Sequence, residues 1–308
     1  HKLHEVMAVA DRVMVMRLGK HIKEMRKEET SIEEMSYLMV GRHIVEREVP
    51  AQTPGQTVLD VQDLVLAGSD KKNILDHFNI HVDAGEIVGI EGVSGNGQSE
   101  LIECLTGLTA PTGGHVLLGG KDVTGRSVGQ IRQAGCACIP EDRYLYGCAK
   151  EATLAETAIM AHQRQSQISS HGLLNAKGIR AFTQQLLDDY DVRNSGQEQK
   201  AGELSGGNIQ KLIVAREIEQ HSPLLIAAEP TRGVDIGAME FIHNKLLEKR
   251  ELGGAVLLIS SELTEIMSLS DRIYVIFEGR AVGEFRKADA TEEALGILMM
   301  GGSLHEAV

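Results

Sequence analysis

Short continuous apolar runs recur along the chain at 224–228 and 256–260, with a helix of period 3.6 predicted between them at 238–250. Unbroken runs of that length are how strands of a buried parallel sheet read, because helices cover both faces. A third apolar strand is predicted at 86–90, entered from the Ala84-Gly85 turn and followed by a glycine-rich loop and a helix over 98–107. Strand-like stretches at 58–65 and 73–82 precede it. A hairpin after Pro111, a helix near 127–134 and a strand at 136–140 follow. From Tyr144 to about His221 the pattern changes to helical segments with long polar faces, such as IRAFTQQLLDDYDV, which predicts an inserted helical lobe. Buried strands alternating with helices predict an α/β core with ligands at the C-terminal ends of the strands.

The same pattern occurs twice. Residues 1–41 return at 261–301 without a gap, HKLHEVMAVADRVMVMRLGK pairing with SELTEIMSLSDRIYVIFEGR. Leu3/Leu263, Glu5/Glu265, Met7/Met267, Asp11/Asp271, Arg12/Arg272, Gly19/Gly279 and Glu24/Glu284 are identical. Each copy predicts a strand (11–16 or 271–277), a glycine turn, a short strand and an amphipathic helix (31–40 or 291–300). A copy at each end excludes a stacked solenoid, whose periods run to about 20–50 residues. The expected organisation is the tail of one module at 1–46, a linker at 47–57 holding two prolines with Gly and Gln, and a second module at 58–308, with its helical lobe at about 144–221.

Composition narrows the function classes. Apolar residues are 42% of the chain and aromatics 3%, so the core is expected to be aliphatic. The net charge of −13 argues against a nucleic-acid partner, which needs a basic stripe to neutralise phosphates. Cys104, Cys136, Cys138 and Cys148 match no zinc spacing. Cys136 and Cys138 are expected to share one face of a strand, as reduced core thiols. With no apolar stretch near ~18 residues and no signal peptide, the chain is expected to stay in the cytosol and not to span a bilayer.

Three motifs carry candidate chemistry. Gly92-Val93-Ser94-Gly95-Asn96-Gly97-Gln98-Ser99 follows a buried strand and opens a helix, as a phosphate-binding loop does, but Gln98 stands where G-x-x-x-x-G-K-[ST] has lysine. Glycines let backbone N–H groups converge on an anion, and the helix N-terminus adds its positive end; Ser99 sits where a hydroxyl would hold Mg2+. A plain strand-to-helix turn is the alternative. Ser205-Gly206-Gly207, before a second helix, forms another amide-and-hydroxyl cradle, or else a serine-capped helix start. Glu229 ends the apolar strand 224–228, where a carboxylate could polarise water for attack on a phosphoryl group; a solvated strand-end acid is the alternative.

In this order, GVSGNGQSEL, IPEDR, LSGGNIQK, EPTRGVD and the closing EFIHNKLLEKR…LLISSEL resemble the ATP-binding cassette ATPases. The narrower similarity is to the C-terminal cassette of the double-cassette ATPases that energise bacterial simple-sugar and nucleoside importers. That resemblance implies a P-loop NTPase fold of the cassette type: a mixed sheet core, an antiparallel β subdomain and an inserted helical subdomain. It implies ATP and Mg2+ as cofactors, with Gly92 to Glu100 as P-loop and Glu141 at the Q-loop position. Ser205, Gly206 and Gly207 would be the signature acting on a partner cassette's ATP. Glu229 would be the catalytic carboxylate, Asp235 would lie in the D-loop and Ser261 would stand at the switch-histidine position. By the internal repeat, His1 would be the switch histidine of the preceding cassette. The implied partners are that first cassette, integral membrane permease subunits at the cytoplasmic face of the inner membrane and, indirectly, an extracytoplasmic solute-binding protein.

Four departures bear on activity: Gln98 for lysine, Ala228 for the aspartate that helps hold Mg2+, Glu141 for glutamine and Ser261 for histidine. A hydrogen bond to a charged partner contributes about 1.5–3 kcal/mol, so losing the lysine alone is expected to cost about 10–100-fold in nucleotide affinity. The expectation is a weak site of its own beside an intact signature that works in trans. The rival readings are a double-cassette protein acting on ribosomes or DNA without a permease, and a pseudo-ATPase scaffold that binds no nucleotide.

Overall fold

The computed structural model describes residues 3–17, 19–41, 50, 52–69 and 72–303. The N-terminal copy of the repeat forms α1 (Leu3–Val9), β1 (Arg12–Arg17), β2 (Lys20–Arg26) and α2 (Ile32–Val40). Then come β3 (Thr57–Ala67), β4 (Asn73–Asp83), β5 (Ile87–Glu91), α3 (Gln98–Thr106), β6 (Gly113–Leu118), β7 (Lys121–Asp122), α4 (Val128–Ala134) and β8 (Cys136–Ile139). The lobe holds a π-turn at Arg143–Gly147, α5 (Leu154–Ala158), β9 (Ser169–Ser170), β10 (Leu173–Leu174), α6 (Ala176–Asp189) and α7 (Gly206–Ile218). The chain closes with β11 (Leu224–Ala228), α8 (Ile236–Glu251), β12 (Ala255–Ile259), α9 (Leu263–Leu269), β13 (Arg272–Phe277), β14 (Arg280–Arg286) and α10 (Glu292–Met299).

Six strands form the central sheet in the order β14-β13-β5-β12-β11-β8. Its pairs are parallel except at the edge, where β14 runs antiparallel to β13. Alternation along the strands splits the core in two. Leu225, Ala227, Val256 and Leu258 face the helical lobe, α8, α9 and α10. Leu224, Ile226, Leu257 and Ile259 face α3, α4 and the antiparallel sheet β4-β3-β6-β7. The mixed sheet, antiparallel subdomain and inserted helical lobe implied by the resemblance are all present. Strand and helix limits fall within one or two residues of those read from the sequence. The lobe differs in one respect: a two-residue hairpin, Leu173–Ser170 and Leu174–Ser169, interrupts its helices. Of the expected linker, residues 47–49 and 51 lie outside the described residues.

The two repeat copies share backbone geometry to the residue. Arg12 pairs with Arg26 and Arg272 with Arg286, and the register slips at Val15/Met16 and at Val275/Ile276. Burial separates them. In β13 every residue from Arg272 to Ile276 is buried because β5 pairs along its other edge, whereas β1 alternates and leaves Met14 and Met16 57% and 60% exposed. Among the described residues, no helix is long and apolar enough to cross a membrane.

Candidate functional site

The C-terminal ends of β5, β12 and β11 lie side by side and carry the 92–97 loop, Ser261 and Glu229 respectively. The loop turns through left-handed backbone at Gly95 and Gly97, with φ of 90° and 108°. At Gly97 a Cβ would also meet the Ile74 carbonyl at 3.1 Å, so glycine is required there twice over. Gln98 folds back onto the loop: its Oε1 accepts the Asn96 N–H at 3.1 Å and its Nε2 donates to the Val93 carbonyl at 3.1 Å. One amide that would point at a phosphate is therefore satisfied internally. Asn96 anchors the loop to the β13–β14 turn, accepting the N–H of Glu278 on its side chain (2.8 Å) and that of Gly279 on its carbonyl (3.0 Å). Val93, Ser94 and Gly95 are exposed at the tip, and Glu100 lies in the first turn of α3.

Ser99 Oγ donates to Glu141 at 2.9 Å, and Arg232 approaches the other Glu141 oxygen at 3.4 Å. The start of α3 and the 141 position thus meet, with the Ser99 hydroxyl already engaged. Ala228 is fully buried against the apolar cluster and brings no oxygen. Mg2+ requires near-octahedral oxygen ligation, and among the described residues no group of three or more acidic, His or Cys side chains could hold a metal. The donor set does not fit a magnesium ion held by the protein alone.

Glu229 adopts φ 46°, a left-handed conformation unusual for a residue with a side chain. Three bonds hold it there. Its N–H donates to the Ile259 carbonyl at 2.7 Å, and its carboxylate accepts the Ser261 N–H (2.7 Å) and hydroxyl (3.1 Å). Burial pushes its pKa up, against the opposing pull of the Ser261 bonds. Behind it, the buried Glu265 carboxylate accepts from the Thr231 hydroxyl at 2.7 Å and contacts His243 Nε2 at 2.7 Å, fixing the turn after Pro230.

Ser205-Gly206-Gly207 lies at the start of α7 and makes contacts of another kind. Ser205 occupies the N-cap, but its side chain does not cap the helix; Oγ instead accepts from Asn208 Nδ2 at 2.9 Å. The serine-capped alternative is therefore absent. The Gly206 carbonyl accepts from Arg143 at 3.0 Å, and the same guanidinium donates to the Arg232 carbonyl at 2.6 Å. Gly207 packs so closely that a Cβ would sit 3.0 Å from Asp235, whose other oxygen caps α8 through the Ala238 N–H at 2.9 Å. His1 lies outside the described residues.

Beside Ser99 and Glu141 opens a groove of about 250 Å³ between α3, α4, β8 and the 143–147 turn, lined by Ile102, Val128, Ile131 and Tyr146. Cys136 and Cys138 share one face of β8 and line it as well, with burial raising the Cys136 thiol to about 12 and Cys138 further. Both are inert by that measure. The far end of the turn is tied to α7 by Arg216, which donates to the Gly147 carbonyl at 2.7 Å. Sequence reasoning missed two residues here: Arg143, inside the quoted IPEDR motif, and Arg232, inside EPTRGVD.

The family model described as ABC transporter matches residues 75–232. The chain is 41% identical over 307 residues to the nucleoside import ATP-binding protein NupA of Lactococcus lactis subsp. cremoris, covering 99% of this chain and 61% of that protein. It is 42% identical over 300 residues to the guanosine import ATP-binding protein NupO of Bacillus subtilis, covering 97% and 59%. It thus spans well under two thirds of either relative's length. A nucleotide-free ATP-binding cassette from an ABC transporter superposes with a TM-score of 0.65 at 24% identity, over 79% of this chain and 95% of that one. The fold is that of an ATP-binding cassette, and the chain belongs to the ABC transporter family.

Proposed function

We propose that this chain is part of the ATPase subunit of an importer for nucleosides or simple sugars, and that it works chiefly by lending its signature to a sister cassette. On this reading 58–308 is a second cassette, 1–46 the end of a first one and 47–57 their linker. The repeated register of β1–β2 and β13–β14 supports that division. The subunit would sit at the cytoplasmic face of the inner membrane, with permease helices in the groove beside Glu141 and a solute-binding protein outside. Nucleosides are favoured by the names that the two relatives carry.

One contrast carries the reading. The Ser205 side chain leaves the first amides of α7 uncapped and available to a phosphate, while the 92–99 loop is bonded to itself through Gln98 and Glu141. The second reading, a scaffold that binds no nucleotide, draws on that same internal bonding. In the first reading, Ser205 and Gly207 meet the γ-phosphate bound by the partner's loop. Glu229 and Ser261 remain as a carboxylate and its orienting hydroxyl at a loop that binds ATP poorly. Ser205→Trp in the complete two-cassette protein is expected to abolish ATP hydrolysis, while Gln98→Ala leaves it nearly unchanged and the 308-residue chain alone turns over negligibly. A larger loss from Gln98→Ala than from Ser205→Trp would reverse the assignment.

A further inference from the structure

Glu91 has no part in the reading above. It ends β5, one residue before Gly92, in a strand that is otherwise Ile, Val and Gly. Its side chain is 1% exposed. Oε1 accepts the Gly92 N–H at 3.3 Å, while Oε2 is buried without a hydrogen-bond partner among the described residues. Alternation along β5 turns Glu91 to the face of Ile87 and away from Val88 and Ile90. On the flanking strand β13 it pairs with Val275, which brings no charge. The charged groups that face it are acids, Glu229 beyond β11 and Glu262 before α9. The loop in front of it has Gln98 in the place of a lysine.

An ionised carboxylate in that setting is held by one long hydrogen bond and repelled from two sides. It also adds negative charge behind a loop whose ligand would be a polyanion and in which position 98 supplies no cation. Protonation relieves both. We propose that Glu91 makes phosphate binding at the 92–99 loop proton-dependent: the loop takes a nucleotide's polyphosphate best with Glu91 neutral, so that binding draws a proton onto that carboxyl. The inference rests on the reading of this loop as a nucleotide site. Burial, with the acids Glu229 and Glu262 adding to it, raises this group to about 7, where a change of pH inside a cell moves its occupancy.

A test is the binding of Mg2+ with trinitrophenyl-ATP to the 308-residue chain and to Glu91→Gln at pH 6 and pH 8, with the proton count taken by calorimetry in two buffers. Dividing by the variant's ratio removes the ligand's own titration. The chain is expected to bind about tenfold tighter at the lower pH, the scale of one like-charge pair across a protein surface. Glu91→Gln is expected to keep the acid-side affinity at pH 8 and to take up fewer protons. Glu91→Ala runs the same comparison should the amide not be accommodated. Equal pH slopes with binding intact would overturn the role of Glu91 and leave the loop a nucleotide site. No saturable binding by chain or variants at either pH would overturn both.

Discussion

Asp271 and Arg272 show how one dipeptide acquires different duties from its surroundings. In the second repeat copy Asp271 accepts two bonds from Arg250, at 2.6 and 2.7 Å, and the Ile87 N–H at 2.9 Å, while Arg250 is fully buried. Arg272 reaches Glu86 and Glu284, both at 2.8 Å. Among the described residues of the first copy, the equivalent of the last pair recurs, Arg12 with Glu24 at 2.6 Å, and it is largely solvent-exposed. Removing one partner of a buried pair strands the other's charge, at a cost of about 3–5 kcal/mol. Asp271→Ala is therefore expected to lose about that much stability in urea denaturation. Arg12→Ala, at a surface pair, is expected to lose under about 1 kcal/mol.

At the scale of elements, α7 and the 143–147 turn are joined at both ends. Arg143 reaches from the turn to the Gly206 carbonyl, and Arg216 reaches from the helix to the Gly147 carbonyl. Arg216 is also paired with Glu217, which Arg132 of α4 meets from across the groove at 2.6 Å. A helix lodged in that groove would push on elements that carry the 205–207 turn with them. Arg143→Ala removes bonds to the Gly206 and Arg232 carbonyls, each contributing about 1 kcal/mol. Amide hydrogen exchange at 205–208 and 143–147 is expected to accelerate together in that variant. Acceleration confined to one segment would mean that the two move separately.

At the scale of the whole molecule, acidic groups set the pH dependence of stability. Burial raises Glu91 from 4.5 to about 7 and displaces Glu229 in the same direction. An acid raised on folding contributes stability that is fully present below its unfolded value and is lost as pH climbs through its folded one. Glu265 works the other way. Burial would raise it, but His243 and its hydroxyl partners hold it low, so its contribution is lost only on acidification. The melting temperature is expected to fall as pH rises from 4.5 to about 7, with Glu91 accounting for about 3 kcal/mol of the change. Glu91→Gln is expected to flatten that slope, as scanning calorimetry at successive pH values would register.

Much of the fold was legible in local pattern. Buried strands such as 224–228 show as apolar runs, glycine loops mark the turns, and the repeat announces its own hairpin and helix. The backbone forms of the 92–97 loop, the 205–207 turn and the strand end at Glu229 were legible because they are local: a few consecutive residues set them. What consecutive residues do not encode is which side chains meet across the sheet. That Gln98 satisfies its own loop, that Ser261 orients Glu229 and that Arg143 reaches the Gly206 carbonyl were decided only by tertiary packing. The same holds for Glu91, whose acidity depends on neighbours 138 and 171 positions away in the chain. Identical Asp-Arg sequences at 11–12 and 271–272 make the point most simply. Sequence determined the strand in both, and burial beside β5, which only the folded chain supplies, decided which pair became a core ion cluster.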